Sequence, residues 1–197
     1  MYSDKGVQNS IFLVAFFTLF MILIIGLKLS LSGSVGWGDL ALADQLMAFL
    51  ILGIGYRYRH HLTTNTIGVG CLFLIVHELG SVMLYGTMLG PLRYDKVMHF
   101  FGGFVLVFIF YNLFTNNFTD GEHHHLILPL CILCALGIGA ITEIIEYIVG
   151  FQINGAGSGF FAYGVGDFGE WNDTIWDMAS NLLGTLSGSI TTLLIKK

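Results

Sequence analysis

The chain has 197 residues, of which 55% are hydrophobic and 11% are charged, and its formal net charge is −5. A soluble domain carries about 25% charged residues, so this composition excludes an ordinary soluble protein and indicates an integral membrane protein. The acidic balance argues against a nucleic-acid partner, and membrane lipids are the expected surroundings.

Six apolar stretches follow one another along the chain. The second is short and carries Asp44 and Gln45 at its start, whereas the others have the roughly 17–25 residues that cross a bilayer. Because backbone groups must be hydrogen-bonded internally in lipid, we expect helices throughout. The sequence therefore predicts an all-α, polytopic membrane protein with a single domain and about six spans, near 10–30, 41–56, 66–85, 95–114, 126–151 and 174–195.

The positively charged residues predict how these spans are threaded. Six spans place both termini on the same side of the membrane. That side also holds most of the basic residues, namely Lys5, Arg57, Arg59, Lys196 and Lys197. By the positive-inside rule, the protein is expected in the cell (cytoplasmic) membrane with both termini in the cytoplasm.

The third span carries ionisable residues in its extracytoplasmic half. His77 and Glu78 interrupt its apolar run, and Tyr85 shares a helix face with His77. A charge inside hydrocarbon costs about 3 kcal/mol or more, so these side chains are expected to face the bundle interior.

The fourth span begins with a second polar group. Asp95 and His99 are four residues apart and therefore share one helix face. Lys96 lies between them, where it could neutralise a carboxylate or bind a phosphate group.

The fifth and sixth spans add further carboxylates at the same membrane level. Glu143 and Glu146 are three residues apart. Asp173, Asp177 and Asn181 follow at intervals of four and form one polar stripe, with Asp173 at the mouth of the site.

Four spans thus bring two histidines and several carboxylates together, which predicts a polar pocket that opens to the extracytoplasmic side. Helix bundles hold divalent metal ions with such residues, and clustered carboxylates also support acid–base catalysis. The predicted metal ligands are His77, Glu78, His99, Glu143, Glu146 and Asp177. The predicted catalytic residues are Glu146, Asp177 and His99, and the predicted supporting or substrate-contacting residues are Asp95, Lys96, Asp173, Asn181 and Tyr85.

The leading interpretation is a metal-dependent hydrolase that acts on a lipid-linked or envelope substrate. One alternative is a proton- or ion-coupled transporter, although the inner halves of spans three to six hold almost no ionisable residue. Another is a structural membrane subunit, in which the same residues form a network that fixes helix packing. An oligomer is compatible with all three.

Small residues in the spans predict close helix packing. Such positions are Gly102-Gly103, Gly137-x-Gly139 and the G-x-x-x-G pair Gly184 and Gly188, which is interpreted as packing within the chain, with an oligomer interface as the alternative. The C-x-x-C of residues 131–134 lies in an apolar run and is interpreted as packing rather than as a metal or redox site.

The polar motifs resemble those of a known family. Tyr94-Asp95-Lys96-x-x-His99-Phe100, Glu143-x-x-Glu146, and Asp173-x-x-x-Asp177 with Asn181-x-x-Gly184 are similar to motifs of the YjdF-like bacterial inner-membrane proteins. A more distant likeness is to the VanZ-like membrane proteins. The resemblance covers about residues 70–190 and implies a small polytopic membrane protein, without implying a particular reaction.

Overall fold

The computed structural model describes residues 61–84, 88–117, 124–147 and 169–195, together with 8–9, 11–13, 15–16, 19–20, 23, 53 and 56–58. For residues 78, 79, 81–83, 117, 124, 145–147 and 169–173 it describes the backbone but not the side chains. Most of the predicted first span and nearly all of the second lie outside the described residues.

Helix α1 spans Thr64–Met83 and begins with a side-chain cap. The Thr63 hydroxyl accepts a hydrogen bond from the Thr66 amide at 3.2 Å, which satisfies one of the amides that a helix start leaves free. The described residues between 8 and 23 are helical and pack beside α1. Leu13 and Phe20 share a buried apolar cluster with α1 residues, and buried Asn9 accepts a hydrogen bond from Thr64 Oγ1 at 3.1 Å.

A short β-hairpin connects α1 to the next helix. Strand β1 (Met88–Leu89) pairs antiparallel with strand β2 (Leu92–Arg93). Gly90 and Pro91 form the turn, and Gly90 has φ 65°, a left-handed value that glycine adopts without steric cost. The hairpin lies in a connection between helices, so it leaves the prediction of a mostly helical protein confirmed, and its two-residue strands are too short to give a sequence pattern.

Three long helices follow and form the main body of the described structure. They are α2 (Tyr94–Asn117), α3 (His124–Tyr147) and α4 (Gly169–Ile195). Within them, the segments Tyr94–Asn116, His125–Ile144 and Thr174–Ile195 are long and apolar enough to cross a membrane, whereas α1 has a shorter apolar stretch, Thr64–His77. The described structure is thus a mostly helical protein with three candidate membrane-spanning helices.

Helix α2 lies at the centre of this group and packs most extensively against α4. Its contact with α3 contains a buried apolar cluster formed by Val107, Ile127, Cys131 and Ala135. Cys131 is fully buried there as a free thiol, and Cys134 is half-buried and also free, in agreement with a packing role for the C-x-x-C.

Glycines bring α2 and α4 into close contact. A Cβ atom at Gly184 would overlap the carbonyl oxygen of Phe100, and one at Gly188 would lie 2.7 Å from the carbonyl oxygen of Phe104. On α2, a Cβ at Gly103 would lie 2.5 Å from the Asn181 carbonyl oxygen. The G-x-x-x-G of α4 therefore packs within the chain, as small residues do between membrane helices.

Candidate functional site

The start of α2 is held in place by Tyr94. This side chain is only 4% exposed, and its hydroxyl donates a hydrogen bond to the Val76 carbonyl oxygen of α1 at 2.6 Å. A Cβ at Gly80 would overlap the Tyr94 ring, so glycine at that position makes room for it. Because Asp95, Lys96 and His99 follow within two turns, Tyr94 positions the polar group relative to α1.

Lys96 forms the shortest ionic contacts at the site. Its Nζ lies 2.7 Å from Asp177 Oδ1 and 2.6 Å from Asp177 Oδ2, which joins α2 to α4. The same nitrogen lies 2.9 Å from Asp95 Oδ2. Lys96 and Asp177 are both buried, so these contacts are screened little by solvent.

His99 lies between the carboxylates of three helices. Its Nε2 is 3.4 Å from Asp95 Oδ1 and 3.5 Å from Asp177 Oδ1. Its Nδ1 is 3.5 Å from Glu143 Oε1 on α3 and 3.2 Å from the side-chain amide nitrogen of Asn181 on α4. One edge of the ring therefore faces two aspartates, and the other faces Glu143 and Asn181.

This arrangement accommodates either neutral tautomer of His99. When the Asn181 amide donates to Nδ1, the proton is on Nε2 and points toward the two aspartates. When Nδ1 carries the proton, Glu143 Oε1 or the side-chain oxygen of a rotated Asn181 amide accepts it, and Nε2 presents a lone pair beside Asp95 and Asp177. In the second state Nε2 and the two carboxylates form a set of metal ligands, and a carboxylate on the far nitrogen orients the imidazole.

Three potential ligand atoms converge at this point. One from each of Asp95, His99 and Asp177 lie within 4.8 Å of one another, the only such group of three or more among the described residues. Together with Glu143, the cluster contains three carboxylates and one ammonium group, that of Lys96. If all are ionised and His99 is neutral, the described groups carry a net charge of two minus. In a low-dielectric interior, such an excess favours binding of a cation or of protons.

The structure places six of the predicted site residues together. They are Asp95, Lys96, His99, Glu143, Asp177 and Asn181. His77 lies on α1 with its ring 5.9 Å from that of Phe73, and it is not one of the three residues whose ligand atoms converge. Tyr85 and the side chains of Glu78, Glu146 and Asp173 lie outside what the structure describes.

Two residues near the cluster were not identified from the sequence as parts of the site. In the sequence, Tyr94 stands only in the family motif, and the small residue Gly80 one helix earlier does not by itself indicate which side chain it makes room for. Thr185 lies one turn below Asn181 and is fully buried, and its hydroxyl has no hydrogen-bond partner among the described residues. A Cβ at Gly103 would lie 2.8 Å from that hydroxyl oxygen.

Beyond Thr185, the polar face of α4 continues with hydroxyl groups that are hydrogen-bonded within the helix. The Ser189 hydroxyl donates to the Thr185 carbonyl oxygen at 2.8 Å, and the Thr192 hydroxyl donates to that of Gly188 at 2.8 Å. Both side chains are buried. These buried hydroxyl groups are therefore compatible with helix packing.

Comparisons with known proteins identify a family but no characterised relative. No curated protein and no solved structure matches the chain. The match to a family model covers residues 8–197, and that family is described as Predicted membrane protein (DUF2238). This is the family of the YjdF-like proteins, and the more distant VanZ-like likeness finds no support. The chain therefore belongs to the DUF2238 family of predicted membrane proteins.

Proposed function

We propose that this membrane protein binds a divalent metal ion at Asp95, His99 and Asp177 and uses it to hydrolyse a lipid-linked or envelope substrate. The observation that carries the proposal is the convergence of these three ligand atoms within 4.8 Å of one another. A mixed set of imidazole nitrogen and carboxylate oxygen suits Mn²⁺ or Zn²⁺.

Residues around the ligands support the same assignment. Glu143 Oε1 lies 3.5 Å from His99 Nδ1, which is the position of the outer carboxylate in a carboxylate–histidine–metal arrangement. Asn181 approaches the same nitrogen and restricts rotation of the imidazole. Both residues would therefore hold Nε2 toward the metal.

Lys96 provides a positive charge next to the ligands. Its ammonium group neutralises Asp177 in the absence of metal. When a cation binds, Lys96 would become available to an anionic group of the substrate, because the metal supplies the charge that Asp177 then needs. A divalent metal would supply an activated water molecule for hydrolysis, and a carboxylate of the cluster would accept its proton.

A reconstituted assay tests the proposed reaction. The full chain is placed in nanodiscs of bacterial membrane lipid extract, incubated with Mg²⁺, Mn²⁺, Zn²⁺ or chelator, and the lipid products are identified by mass spectrometry. We expect a product that requires metal and is lost in Asp177→Asn. The control is Asp120→Asn, in the connection between α2 and α3. Product formation without metal, equal product from Asp177→Asn, or no product with any of these metals would contradict the proposal.

One observation favours a second candidate function. The short contacts of Lys96 with Asp177 connect α2 and α4 directly, so the cluster could act only as a packing network in a structural subunit. This alternative predicts that divalent cations leave the stability of the protein unchanged, whereas the metal site predicts an increase.

A further inference from the structure

A groove in the helix pair α3–α4 adjoins the polar cluster. It has a volume of about 300 Å³ and is lined by Leu136, Ala140, Met178, Ala179, Asn181 and Leu182. This volume is at the lower end of the range for small-molecule sites, about 300–1,000 Å³. Its lining is apolar except for Asn181.

Small side chains create the groove, and large ones border it. Ala140 on α3 and Ala179 on α4 leave space between the two helices, while Met178 and Leu182 are 47% and 42% exposed. Both helices contain segments that can cross a membrane. Among the described residues, the groove therefore opens where hydrocarbon would surround the protein.

Asn181 links the groove to the candidate site. It lines the groove, and its amide nitrogen lies 3.2 Å from His99 Nδ1. A Cβ at Gly139 would lie 2.7 Å from the same amide nitrogen, so α3 comes close to Asn181 because that position is glycine. A molecule in the groove would thus have one end beside the charged cluster.

We infer that the groove holds one acyl chain of a glycerophospholipid, whose polar head group is thereby placed at the cluster. An apolar cleft that meets the charged cluster at Asn181 matches an amphiphile with a hydrocarbon tail and an anionic head. The small volume suits one unbranched chain rather than two. This inference rests on the proposed function and names the class of its substrate.

The groove selects and orients the lipid rather than providing most of its affinity. Moving a chain from bilayer to groove exchanges one apolar environment for another, so the gain comes from packing. Contacts of the head group with Lys96 and with a bound metal would provide the remainder. A filled groove should therefore prevent lipid retention without weakening metal binding.

Native mass spectrometry of the full chain tests this inference. Protein is reconstituted in nanodiscs of phosphatidylethanolamine and phosphatidylglycerol, extracted into mild detergent, and examined for retained lipid. Wild type should retain one phospholipid, and Ala179→Trp should reduce this fraction by about tenfold. Leu194→Trp is the matched control, because Leu194 is 66% exposed at the far end of α4, and it should behave like wild type.

Further measurements separate this inference from the proposed function. Ala140→Leu fills the same groove with a smaller side chain. Its lipid retention is measured if Ala179→Trp does not accumulate. Stabilisation by Mn²⁺ or Zn²⁺ should be the same in groove variants and wild type. This measurement tests the metal site independently of lipid retention, so either proposal can be contradicted without the other. Equal phospholipid retention in wild type and groove variants would overturn the inference. So would a photo-crosslinker at Met178 that reacts with another segment of this chain, or retention of a polyprenyl lipid in place of a phospholipid.

Discussion

At the scale of single residues, Lys96 contacts the same carboxylate that the proposed metal ion would need. Both Asp177 oxygens lie within 2.7 Å of the lysine nitrogen, and Asp177 Oδ1 is also 3.5 Å from His99 Nε2. The lysine can therefore serve as an internal counterion in the metal-free protein. At the proposed metal site this contact would lower the affinity for the ion, and it compensates the charge of the buried aspartates.

Replacement of Lys96 by methionine should reveal this competition. Lys96→Met keeps most of the side-chain volume but leaves buried carboxylates without their ammonium partner, which costs about 3–5 kcal/mol in comparable pairs. We expect a large loss of unfolding free energy without metal and a larger recovery with Mn²⁺ or Zn²⁺ than wild type shows. Chemical unfolding in detergent with and without metal measures both, and Lys5→Met is the control. Equal recovery in the variant and wild type would contradict the competition.

The outer carboxylate gives a second prediction at this scale. Glu143→Gln retains a hydrogen-bond acceptor near His99 Nδ1 but removes the charge that favours the Nδ1-protonated tautomer. Loss of such an outer partner typically lowers metal affinity about 10–100-fold, and we expect a decrease in that range by metal titration. Glu122→Gln, near the start of α3, should leave affinity unchanged. An unaltered Kd for the metal in Glu143→Gln would show that Glu143 does not contribute to the site.

At the scale of helices, the seam between α2 and α4 depends on residues without side chains. The carbonyl oxygen of Phe100 would overlap a Cβ atom of Gly184, and that of Phe104 would lie 2.7 Å from a Cβ atom of Gly188. Because Asp177 and Asn181 are on the same face of α4, this close approach brings them to Lys96 and His99. The seam therefore sets the geometry of the site.

Adding a methyl group between α2 and α4 should lower the free energy of unfolding. Gly184→Ala would force α4 away from the Phe100 carbonyl oxygen, and overpacking of this kind costs about 1–3 kcal/mol. Gly137→Ala is the matched control, since a Cβ there would meet no atom of the described residues within 4 Å. Unfolding by titration with denaturing detergent should show a loss for Gly184→Ala alone. Equal stability of the two variants would show that the contact does not limit packing.

The sequence predicts some of these elements better than others. Long apolar runs predict α2, α3 and α4 within a few residues, and the G-x-x-x-G predicts a close contact. The hairpin at residues 88–93 could not be foreseen, because two residues per strand show no periodicity. The place of Tyr94 could not be foreseen either, since an aromatic residue at a helix end is as typical of the membrane interface.

At the scale of the whole molecule, the site forms because α2, α3 and α4 run in alternating directions and bring their ionisable residues to one level. Asp95 and Asp177 come from the first third of α2 and α4, and Glu143 comes from the final third of α3. The three residues therefore lie at the same end of the helices. Sequence spacing gives the face of each residue but not the rotation of each helix about its axis. For that reason the spacing predicts His77 as a metal ligand and Asp95 as a supporting residue. In the structure, the ligand atom that lies near those of His99 and Asp177 comes from Asp95.

The central claim, that Asp95, His99 and Asp177 bind a divalent metal, is tested most directly by metal content. Wild-type protein, Asp177→Asn and the Asp120→Asn control are purified in detergent from metal-supplemented cells and analysed by elemental mass spectrometry. A metal site predicts about one divalent ion per chain in wild type and the control, and little in Asp177→Asn. Absence of metal from all three proteins, or equal content in Asp177→Asn and wild type, would contradict the claim.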